Sequence, residues 1–482
     1  MKNISLLKKN YIYNLIYQVL AIIIPFITTP YVSRSLGVTA IGDFSYTSGI
    51  VTYFGLIAAT GTVSFGNREI AIRHNNIEER SILFWEIFIF RLFTCFLAIV
   101  AYIVFVFSSL TEYRMMFIIQ FFTVFSWLID VSWYCQGMEN FKITAFRNTI
   151  VKILATAAIF LFVRKPEDVL IYTFINSCAS FLGNFTMWGY VMQTVKLVPF
   201  SKIHCFRHTK GIFQLFIPVI ALQVYTVLDK TMLGVFVNTT EVGYYTQADK
   251  IIQMATTVIS SLTTVLLPRI SNLARDNDMR ELRGLLSKSL NFIFALAFPM
   301  CVGCILIIDQ FVPIFFGYGY EPVTNIIRVQ SILFVVVNLG RLLGTTLVAL
   351  GQQTKYTAAV IFAALLNFGL NSLMLLVFHK GAIGVSIASV MAELSAAILQ
   401  MIFVRKLITI KMIFRSVSAY LFAAIIMGIA ICILRLVIGT GFLPMITEMF
   451  IGCLVYFLIL IIRKDDLLLN IFNGVRKNGH RD

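Results

Sequence analysis

Apolar runs of about 20 residues recur along the whole chain, and this feature constrains the fold more than any other. An α-helix of about 20 apolar residues crosses a bilayer core about 30 Å thick. The composition agrees, because 59% of the 482 residues are hydrophobic and only 13% are charged. The chain is therefore predicted to be an all-α integral membrane protein without a large soluble domain between its spans.

Sliding-window hydropathy predicts about fourteen transmembrane helices. Six of them form an N-terminal lobe within residues 1–195, with spans at 12–33, 43–65, 83–107, 114–134, 143–163 and 169–193. After a basic cytoplasmic linker at 196–210, six more form a C-terminal lobe within residues 211–405, with spans at 211–236, 244–267, 286–308, 323–349, 356–378 and 382–403. Two further spans at 416–437 and 442–462 occupy residues 406–463, and a cytoplasmic tail covers 464–482.

Two short sequence patterns of the first predicted lobe recur in the second, and we call each such recurrence an echo. Four residues of the first lobe recur about 201 positions later: Thr39, Gly42, Thr62 and Arg68 correspond to Thr240, Gly243, Thr263 and Arg269. A second echo, in the same order, relates residues 137–145 to residues 351–358. We interpret the chain as a duplicated six-helix unit. Because an even number of spans separates the copies, they are expected to be parallel repeats, with a substrate site between the lobes.

Basic residues are concentrated in alternate loops. The termini and every second loop carry roughly 27 Lys and Arg residues, against roughly 6 in the other loops, and basic loops remain in the cytoplasm. Both termini are therefore predicted to be cytoplasmic. This bias also explains most of the net charge of +16, since a basic membrane surface faces anionic headgroups. No nucleic-acid partner is needed to account for it.

The residues that could hold a metal or a nucleotide do not form a recognisable site. The eight cysteines lie mostly in apolar runs, so no disulfide is expected, and the Cys301/Cys304 pair is interpreted as helix packing. His204 and His208 flank Cys205 in a basic loop that lacks a second ligand pair. A phosphate-binding GxxxxGK[ST] motif is also missing. We expect neither a metal nor an organic cofactor, and we expect a transporter rather than an enzyme.

Cations at membrane depth are the first set of candidate functional residues. A charged side chain there costs about 3 kcal/mol or more, so it usually faces a cavity or a partner. Guanidinium groups bind phosphate oxygens with paired hydrogen bonds. We predict a cationic lumen that binds an anionic headgroup, with these candidates: Arg34, Arg68, Arg91, Lys152, Arg328 and Arg341. The alternative is that several of them reach the membrane surface or pair internally.

Three carboxylates form the second set of candidates. Asp229, Asp130 and Glu393 lie inside predicted spans, where a buried carboxylate can hold a proton or a sodium ion. A coupling ion, H+ or Na+, would bind there. For Asp229 the adjacent Lys230 leaves a structural Asp–Lys pairing open as an alternative, and structural pairing is likewise the alternative for Asp130 and Glu393. On the tenth predicted span, a GxxxG motif around Arg341 predicts close helix packing and could also allow a bend.

The stretch from Arg34 to Glu69 resembles the opening of a known family. Its features are Arg34-Ser-Leu-Gly37, Gly42-Asp-Phe-Ser-Tyr, Tyr53-Phe54, Gly61 and Asn67-Arg68-Glu69. This pattern resembles the Wzx-type polysaccharide flippases, which export O-antigen and capsule repeat units. They belong to the multidrug/oligosaccharidyl-lipid/polysaccharide (MOP) superfamily. The resemblance extends over the whole chain, including two six-helix lobes and two extra helices.

The resemblance implies a flippase for undecaprenyl-pyrophosphate-linked oligosaccharides, for O-antigen, lipopolysaccharide, capsule or exopolysaccharide biosynthesis. It would move them to the outer leaflet of a bacterial inner membrane by alternating access. The candidate cations Arg34, Arg91, Arg328 and Arg341 would meet the pyrophosphate or acidic sugars, and Asp229 would couple a cation. The last two helices would shape a lipid-facing groove. Besides membrane lipids, a polysaccharide polymerase and a chain-length regulator are implied partners.

Rival functions differ in the charges that they need. A cation-coupled drug or metabolite antiporter of the same superfamily should have a lumen dominated by carboxylates, whereas the candidates here are mostly cations. A lipid II-type flippase would share the architecture. A membrane glycosyltransferase or polymerase would need an acidic constellation in an aqueous loop, and no outward loop exceeds about 15 residues, which leaves little room for one.

Overall fold

A computed structural model describes residues 2–108, 112–139, 141–276 and 278–465, and within these ranges the secondary structure is helical, without strands. Most of the predicted cytoplasmic tail at 464–482 therefore lies outside the described residues. The chain divides into two compact units, Met1–Gly243 and Tyr244–Asp482. The eight cysteines, all within the described ranges, are free thiols.

Among the described residues of the first unit there are nine α-helices. They are α1 (Lys2–Ala59), α2 (Thr62–Ile72), α3 (Ile77–Ser108), α4 (Arg114–Leu128), α5 (Ser132–Gly137), α6 (Phe141–Phe162), α7 (Val169–Thr186), α8 (Trp188–Thr194) and α9 (Thr209–Phe236). Helix α10 (Thr239–Arg275) begins at the end of this unit and continues into the second. The second unit continues with α11 (Met279–Phe316), α12 (Glu321–Gln330), α13 (Leu333–Ala349), α14 (Gln353–Ser372), α15 (Gly381–Val404), α16 (Ile410–Ile438) and α17 (Phe442–Ile462).

These helices form because a backbone inside a bilayer must satisfy its own hydrogen bonds. Nine helical segments of the described residues are long and apolar enough to cross a membrane, and the bent pair Ile23–Ala59 and Thr62–Ile72 makes a tenth. Large apolar side chains such as Phe96 and Phe107 are exposed on them, as expected for lipid-facing surfaces. The predicted all-α membrane fold is confirmed. The count of about fourteen spans and the lobe boundaries stay predictions.

The core of the first unit contains an aromatic cluster around Trp133. The Trp133 ring is fully buried and stacks on Phe84, with ring centroids 5.4 Å apart. Gly66 of α2 packs directly on the Trp133 ring and has no room for a side chain. Trp188 of α8 meets Phe88 edge to face at 5.0 Å. This packing joins α2, α3, α5 and α8 into one body.

The first copy of the sequence echo lies against the beginning of the second. Thr39 and Thr240 share a hydrogen bond between their hydroxyl groups, with the two Oγ1 atoms 3.0 Å apart. A Cβ atom on Gly42 would collide with the Thr239 carbonyl oxygen, and one on Gly243 would collide with the Val38 carbonyl oxygen. Equivalent glycines thus allow α1 and the start of α10 to touch backbone to backbone.

Two breaks inside predicted spans position charged residues. The fourth predicted span is interrupted between α4 and α5, where Asp130 lies. The tenth is interrupted at Ser331 and Ile332, between α12 and α13, rather than at its GxxxG motif. A Cβ atom on Gly344 would lie 2.7 Å from the ring of Tyr356, so this glycine of the motif serves close packing of α13 against α14.

Candidate functional site

Arg91 and Asp130, predicted separately as a substrate ligand and an ion-coupling residue, form an ion pair inside the first unit. The Arg91 side chain is 1% exposed and its terminal nitrogen lies 3.0 Å from Asp130 Oδ2. Its remaining N–H groups donate to the Trp127 carbonyl oxygen at 3.0 Å and to Thr62 Oγ1 at 3.1 Å. The other oxygen of Asp130, Oδ1, accepts a hydrogen bond from the Ser132 backbone N–H at 2.9 Å.

This pair therefore connects α3 to the breaks that end α1 and α4. Each polar atom of a buried ion pair must be satisfied, because an unpaired charge in a low-dielectric interior is strongly destabilising. The contacts of Arg91 meet that requirement without a ligand. The assignment of Arg91 and Asp130 to substrate and ion binding stays a prediction, and the geometry favours the internal pairing that we weighed as its alternative.

Arg34, Arg68 and Lys152 lie on three different helices of the first unit. Arg34 is exposed on α1, three residues before Gly37, whose φ of 75° kinks the helix. Arg68 on α2 is 56% exposed and donates to Glu69 Oε1 at 2.8 and 3.1 Å. Lys152 is half-buried on α6. Of these, Arg34 and Arg68 are the more accessible cations of the first unit's candidates.

Asp229 is 4% exposed on α9, a helix that packs against α1. The Tyr53 hydroxyl and Thr231 Oγ1 are hydrogen-bonded at 2.9 Å, and the Asp229 carboxylate acts electrostatically on Tyr53. Tyr53 belongs to the aromatic pair of the opening motif, so the motif supplies one neighbour of the predicted coupling residue. A buried carboxylate beside hydroxyl groups has the donor set that a proton or a sodium ion requires.

Arg341 and Glu393 come together in the second unit. Arg341 is exposed on α13, and Glu393 of α15 and Tyr356 of α14 both act on it electrostatically. Nearby, the Gln400 side chain is 4% exposed and its Oε1 atom has no hydrogen-bond partner. That oxygen would lie 3.6 Å from a Cβ atom on Gly344. Three helices thus contribute a cation, a carboxylate, a phenol and an unsatisfied amide oxygen to one region.

Arg328 lies on α12, in the first half of the tenth predicted span, and Arg341 lies in the second half of that span. Its guanidinium bonds to Asp309 Oδ2 and donates to Asn325 Oδ1 at 3.1 Å. The side chains of Arg328 and Asp309 are 38% and 48% exposed. Together with Pro313, Glu321 and Thr324 they line a cleft of about 300 Å³.

Sequence reasoning missed a charged cluster that joins the last two helices to α11. Glu448 of α17 is fully buried and binds Arg435 of α16, with N–O distances of 2.6 and 3.0 Å. Gln310 of α11 donates to both Glu448 oxygens at 2.9 and 3.1 Å, and Arg435 also donates to the Leu306 carbonyl oxygen at 2.8 Å. The sequence did contain a signal for this cluster, since Arg435 and Glu448 are charged residues within predicted apolar spans.

The basic linker is also more firmly held than a surface loop. Glu86 of α3 is 2% exposed; its oxygens accept from the His204 backbone N–H at 3.0 Å and contact His208 Nε2 at 2.8 Å. Lys196 of the linker receives the Trp85 indole N–H at its carbonyl oxygen, at 3.0 Å. The two histidines that could have suggested a metal site are thus held at a carboxylate, and among the described residues no cluster of three metal-binding side chains is found.

An apolar groove lies in the second unit, lined mainly by residues of α10, α11, α16 and α17. Its volume is about 570 Å³, and it is lined by apolar side chains that include Phe292, Met300 and Met427. Met449 and Phe457, both in its lining, are each 50% exposed, so the groove opens at the surface. An open apolar groove on a membrane protein suits a hydrocarbon chain.

Comparison with known sequences decides the family. A family model described as "Polysaccharide biosynthesis protein" matches residues 7–274, more than half of the chain. The chain belongs to this polysaccharide biosynthesis family. An Escherichia coli (strain K12) protein named "Putative O-antigen transporter" is 24% identical over 413 residues, which are 83% of this chain and 97% of that protein. A Haloferax volcanii protein named "Probable low-salt glycan biosynthesis flippase Agl15" is 21% identical over 320 residues, 65% of this chain and 66% of that protein.

Solved structures show the same fold. The lipid II flippase MurJ in an inward closed conformation aligns with a TM-score of 0.75 and 18% identity, over 95% of this chain and 99% of that one. A multidrug resistance MATE family transporter of the MOP superfamily aligns with a TM-score of 0.59 and 14% identity, over 81% and 97%. This polysaccharide biosynthesis family member therefore has the fold of MOP superfamily transporters. The family match ends at residue 274, so the Arg435–Glu448 pair and the parts of the groove lined by α11, α16 and α17 lie beyond it.

Proposed function

We propose that this protein is a flippase that translocates undecaprenyl-pyrophosphate-linked oligosaccharide repeat units from the cytoplasmic to the outer leaflet of a bacterial inner membrane. The product would feed O-antigen, capsule or exopolysaccharide biosynthesis. The names of the curated relatives, an O-antigen transporter and a glycan biosynthesis flippase, support this class of substrate. So does membership of the polysaccharide biosynthesis family.

The apolar groove of the second unit carries the proposal. A lipid-linked sugar has a hydrocarbon part that prefers the bilayer and a polar part that does not, so its carrier needs an apolar surface that stays open to lipid. The groove lined by α11, α16 and α17 is such a surface. Arg34, Arg68 and Arg341 are exposed cations that can meet the pyrophosphate. A carrier of small polar solutes has no use for an open hydrocarbon site.

The proposal includes a topology and a mode of action. Both termini are cytoplasmic, as the distribution of basic residues predicts, and transport proceeds by alternating access without an organic cofactor. A polymerase and a chain-length regulator would receive the product on the outer side. Asp229, buried beside Tyr53, is the proposed coupling residue for H+ or Na+. The protein acts as a transporter and not as an enzyme.

Filling the groove tests this proposal. Gly303 of α11 lines the groove, and the nearest atom to a Cβ placed there is in Met427, 3.8 Å away. Gly303→Phe should therefore fold and occupy the space of the hydrocarbon chain. In proteoliposomes that contain a fluorescent undecaprenyl-pyrophosphate oligosaccharide, we expect translocation at least tenfold slower, as measured by the accessibility of the label to an impermeant quencher.

The matched control is Gly369→Phe on α14, because Gly369 is exposed and a Cβ atom there meets nothing within 4 Å. It introduces the same side chain on a membrane helix outside the groove and should transport normally. Equal transport by both variants would refute the role of the groove. No translocation of the lipid-linked oligosaccharide by the unchanged protein would refute the flippase itself.

The second candidate, a cation-coupled antiporter for drugs or metabolites, is favoured by one observation. Asp229 is buried and acts electrostatically on Tyr53, and a buried carboxylate can hold an exchangeable proton or sodium ion. Efflux of a cationic dye from proteoliposomes, driven by an ion gradient and lost in Asp229→Asn, would support it. An unchanged ion dependence in that variant would remove Asp229 as the coupling residue of either function.

A further inference from the structure

The cleft at the end of α11 and the start of α12 has features that neither the groove nor the exposed cations share. Helix α12 is strongly two-sided. Its buried face consists of Val323, Ile326, Ile327 and Gln330. Its other face presents Glu321, Thr324, Asn325 and Arg328, spaced at three- and four-residue intervals, to the cleft of about 300 Å³. The side chains of this polar face offer hydrogen-bond donors and acceptors to a polar ligand.

The charges of the cleft restrict what it can bind. Two carboxylates, Asp309 and Glu321, surround one guanidinium, that of Arg328, which is already bonded to Asp309 and Asn325. A phosphate would be repelled by the excess carboxylate. A metal cation would have to displace Arg328 from Asp309. The cleft therefore favours an uncharged ligand.

The hydrogen-bonding groups of the cleft are suited to a ligand with several hydroxyl groups. Asp309 and Glu321 offer acceptor oxygens, Arg328 and the Asn325 amide offer donors, and Thr324 offers both. Planar side chains of this kind can pair with two neighbouring hydroxyls at once, which is the recurring pattern on a sugar ring. The Glu321 carboxylate is itself fixed, since its Oε1 accepts the Gly319 backbone N–H at 3.1 Å.

An aromatic residue lies in the loop that joins α11 and α12, the two helices that line the cleft. Tyr318, three residues before Glu321, is 96% exposed. It lies between Gly317 and Gly319, whose φ values of 96° and 87° belong to the left-handed region that favours glycine. These two glycines and the Gly319–Glu321 hydrogen bond hold the loop so that the ring projects outward. A flat apolar ring with a polar tip is suited to stacking on the C–H face of a sugar.

We propose that this cleft, with Tyr318 as its platform, is a binding site for a neutral sugar of the glycan. The inference rests on the proposed flippase function, because only a glycan carrier would meet such a ligand at the membrane surface. In the proposed topology the end of α11 faces the outer side. The site would hold the sugar portion as it leaves, apart from the cations that meet the pyrophosphate.

Glycan binding by the whole protein in lipid nanodiscs tests this site. The probes are free neutral oligosaccharides built from hexoses, deoxyhexoses and N-acetylhexosamines, presented as an array. The unchanged protein should bind at least one of them. Tyr318→Ala and Asn325→Ala should each lower that affinity at least tenfold, and Tyr318→Phe should retain it because the ring remains. Since Tyr318 is almost wholly exposed, its truncation removes no packing.

The matched control is Asn75→Ala, which removes an exposed amide in the turn before α3 and should leave binding unchanged. Equal affinity in Tyr318→Ala, Asn325→Ala and the unchanged protein would overturn the site, and so would binding confined to acidic glycans. The liposome assay separates the two proposals. If the unchanged protein translocates the lipid-linked oligosaccharide but no neutral glycan binds, the sugar site fails and the flippase stands; without translocation, the flippase fails.

Discussion

Arg91–Asp130 in the first unit and Arg328–Asp309 in the second are the same chemical pair in different surroundings. In both, a terminal guanidinium nitrogen bonds to an aspartate Oδ2 atom. Arg91 is 1% exposed and Arg328 is 38% exposed. The first pair is enclosed and connects α3 to two helix breaks, whereas the second opens into a cleft. Burial, not residue type, separates a scaffold cation from one that a ligand can reach.

The enclosed pair should show the largest effect on stability. Arg91→Ala leaves the Asp130 carboxylate without its cation, and we expect a loss of about 3–5 kcal/mol in the free energy of unfolding. Thermal unfolding in detergent, followed by tryptophan fluorescence, measures it. The double variant Arg91→Met with Asp130→Leu removes both charges and should recover most of the loss. If Arg91→Ala unfolds like the unchanged protein but no longer transports, Arg91 belongs with the ligand-binding cations. The contrast between the enclosed pair and the open pair would then be wrong.

Breaking the Arg435–Glu448 pair should cost less stability than breaking the enclosed pair and more than breaking the open pair. Glu448 is fully buried, but Gln310 donates two hydrogen bonds to it in addition to Arg435. Arg435→Met therefore leaves a carboxylate that is still partly satisfied, and we expect a loss of about 2 kcal/mol. The same unfolding measurement, with Arg435→Met and Gln310→Leu combined, should show a further loss. A combined loss no greater than that of Arg435→Met alone would show that Gln310 does not compensate.

The open pair should show the smallest effect on stability. Arg328→Ala breaks a pair in which both side chains are partly exposed and screened by solvent, so we expect at most about 1 kcal/mol. Binding should respond more strongly than folding, with affinity for a neutral oligosaccharide reduced at least tenfold. Unfolding measurements and the glycan array on the same preparation separate the two effects. A loss of stability as large as that of Arg91→Ala would contradict this comparison, because it would show that exposure does not decide whether such a pair stabilises the fold or binds a ligand.

Much of the fold could be predicted from the sequence, because a bilayer leaves few choices. The apolar runs predicted an all-helical membrane protein, and the Thr39–Gly42 and Thr240–Gly243 echoes predicted related elements that do meet in the structure. The helix breaks could not be predicted in the same way. The break beside Asp130 depends on a partner in α3, distant in sequence, and hydropathy carries no information about partners on other helices.

The candidate residues could be named from the sequence, but their arrangement could not. Charge at membrane depth singled out Arg91, Arg328 and Asp229, since each such residue needs an explanation, and their roles stay predictions. Whether such a residue pairs internally or faces a ligand depends on contacts between helices that one sequence does not encode locally. Glu448 shows the same limit, because its apolar surroundings in the sequence hide a buried hydrogen-bond network.

The backbone contact at Gly42 and Gly243 also limits which residues these two positions can carry. A substitution at either position places a Cβ atom on the carbonyl oxygen of the opposite helix, and no rearrangement of a side chain can relieve a clash with backbone. This pair must keep its glycines or separate the helices, so α1 and the start of α10 can change at these two positions only together.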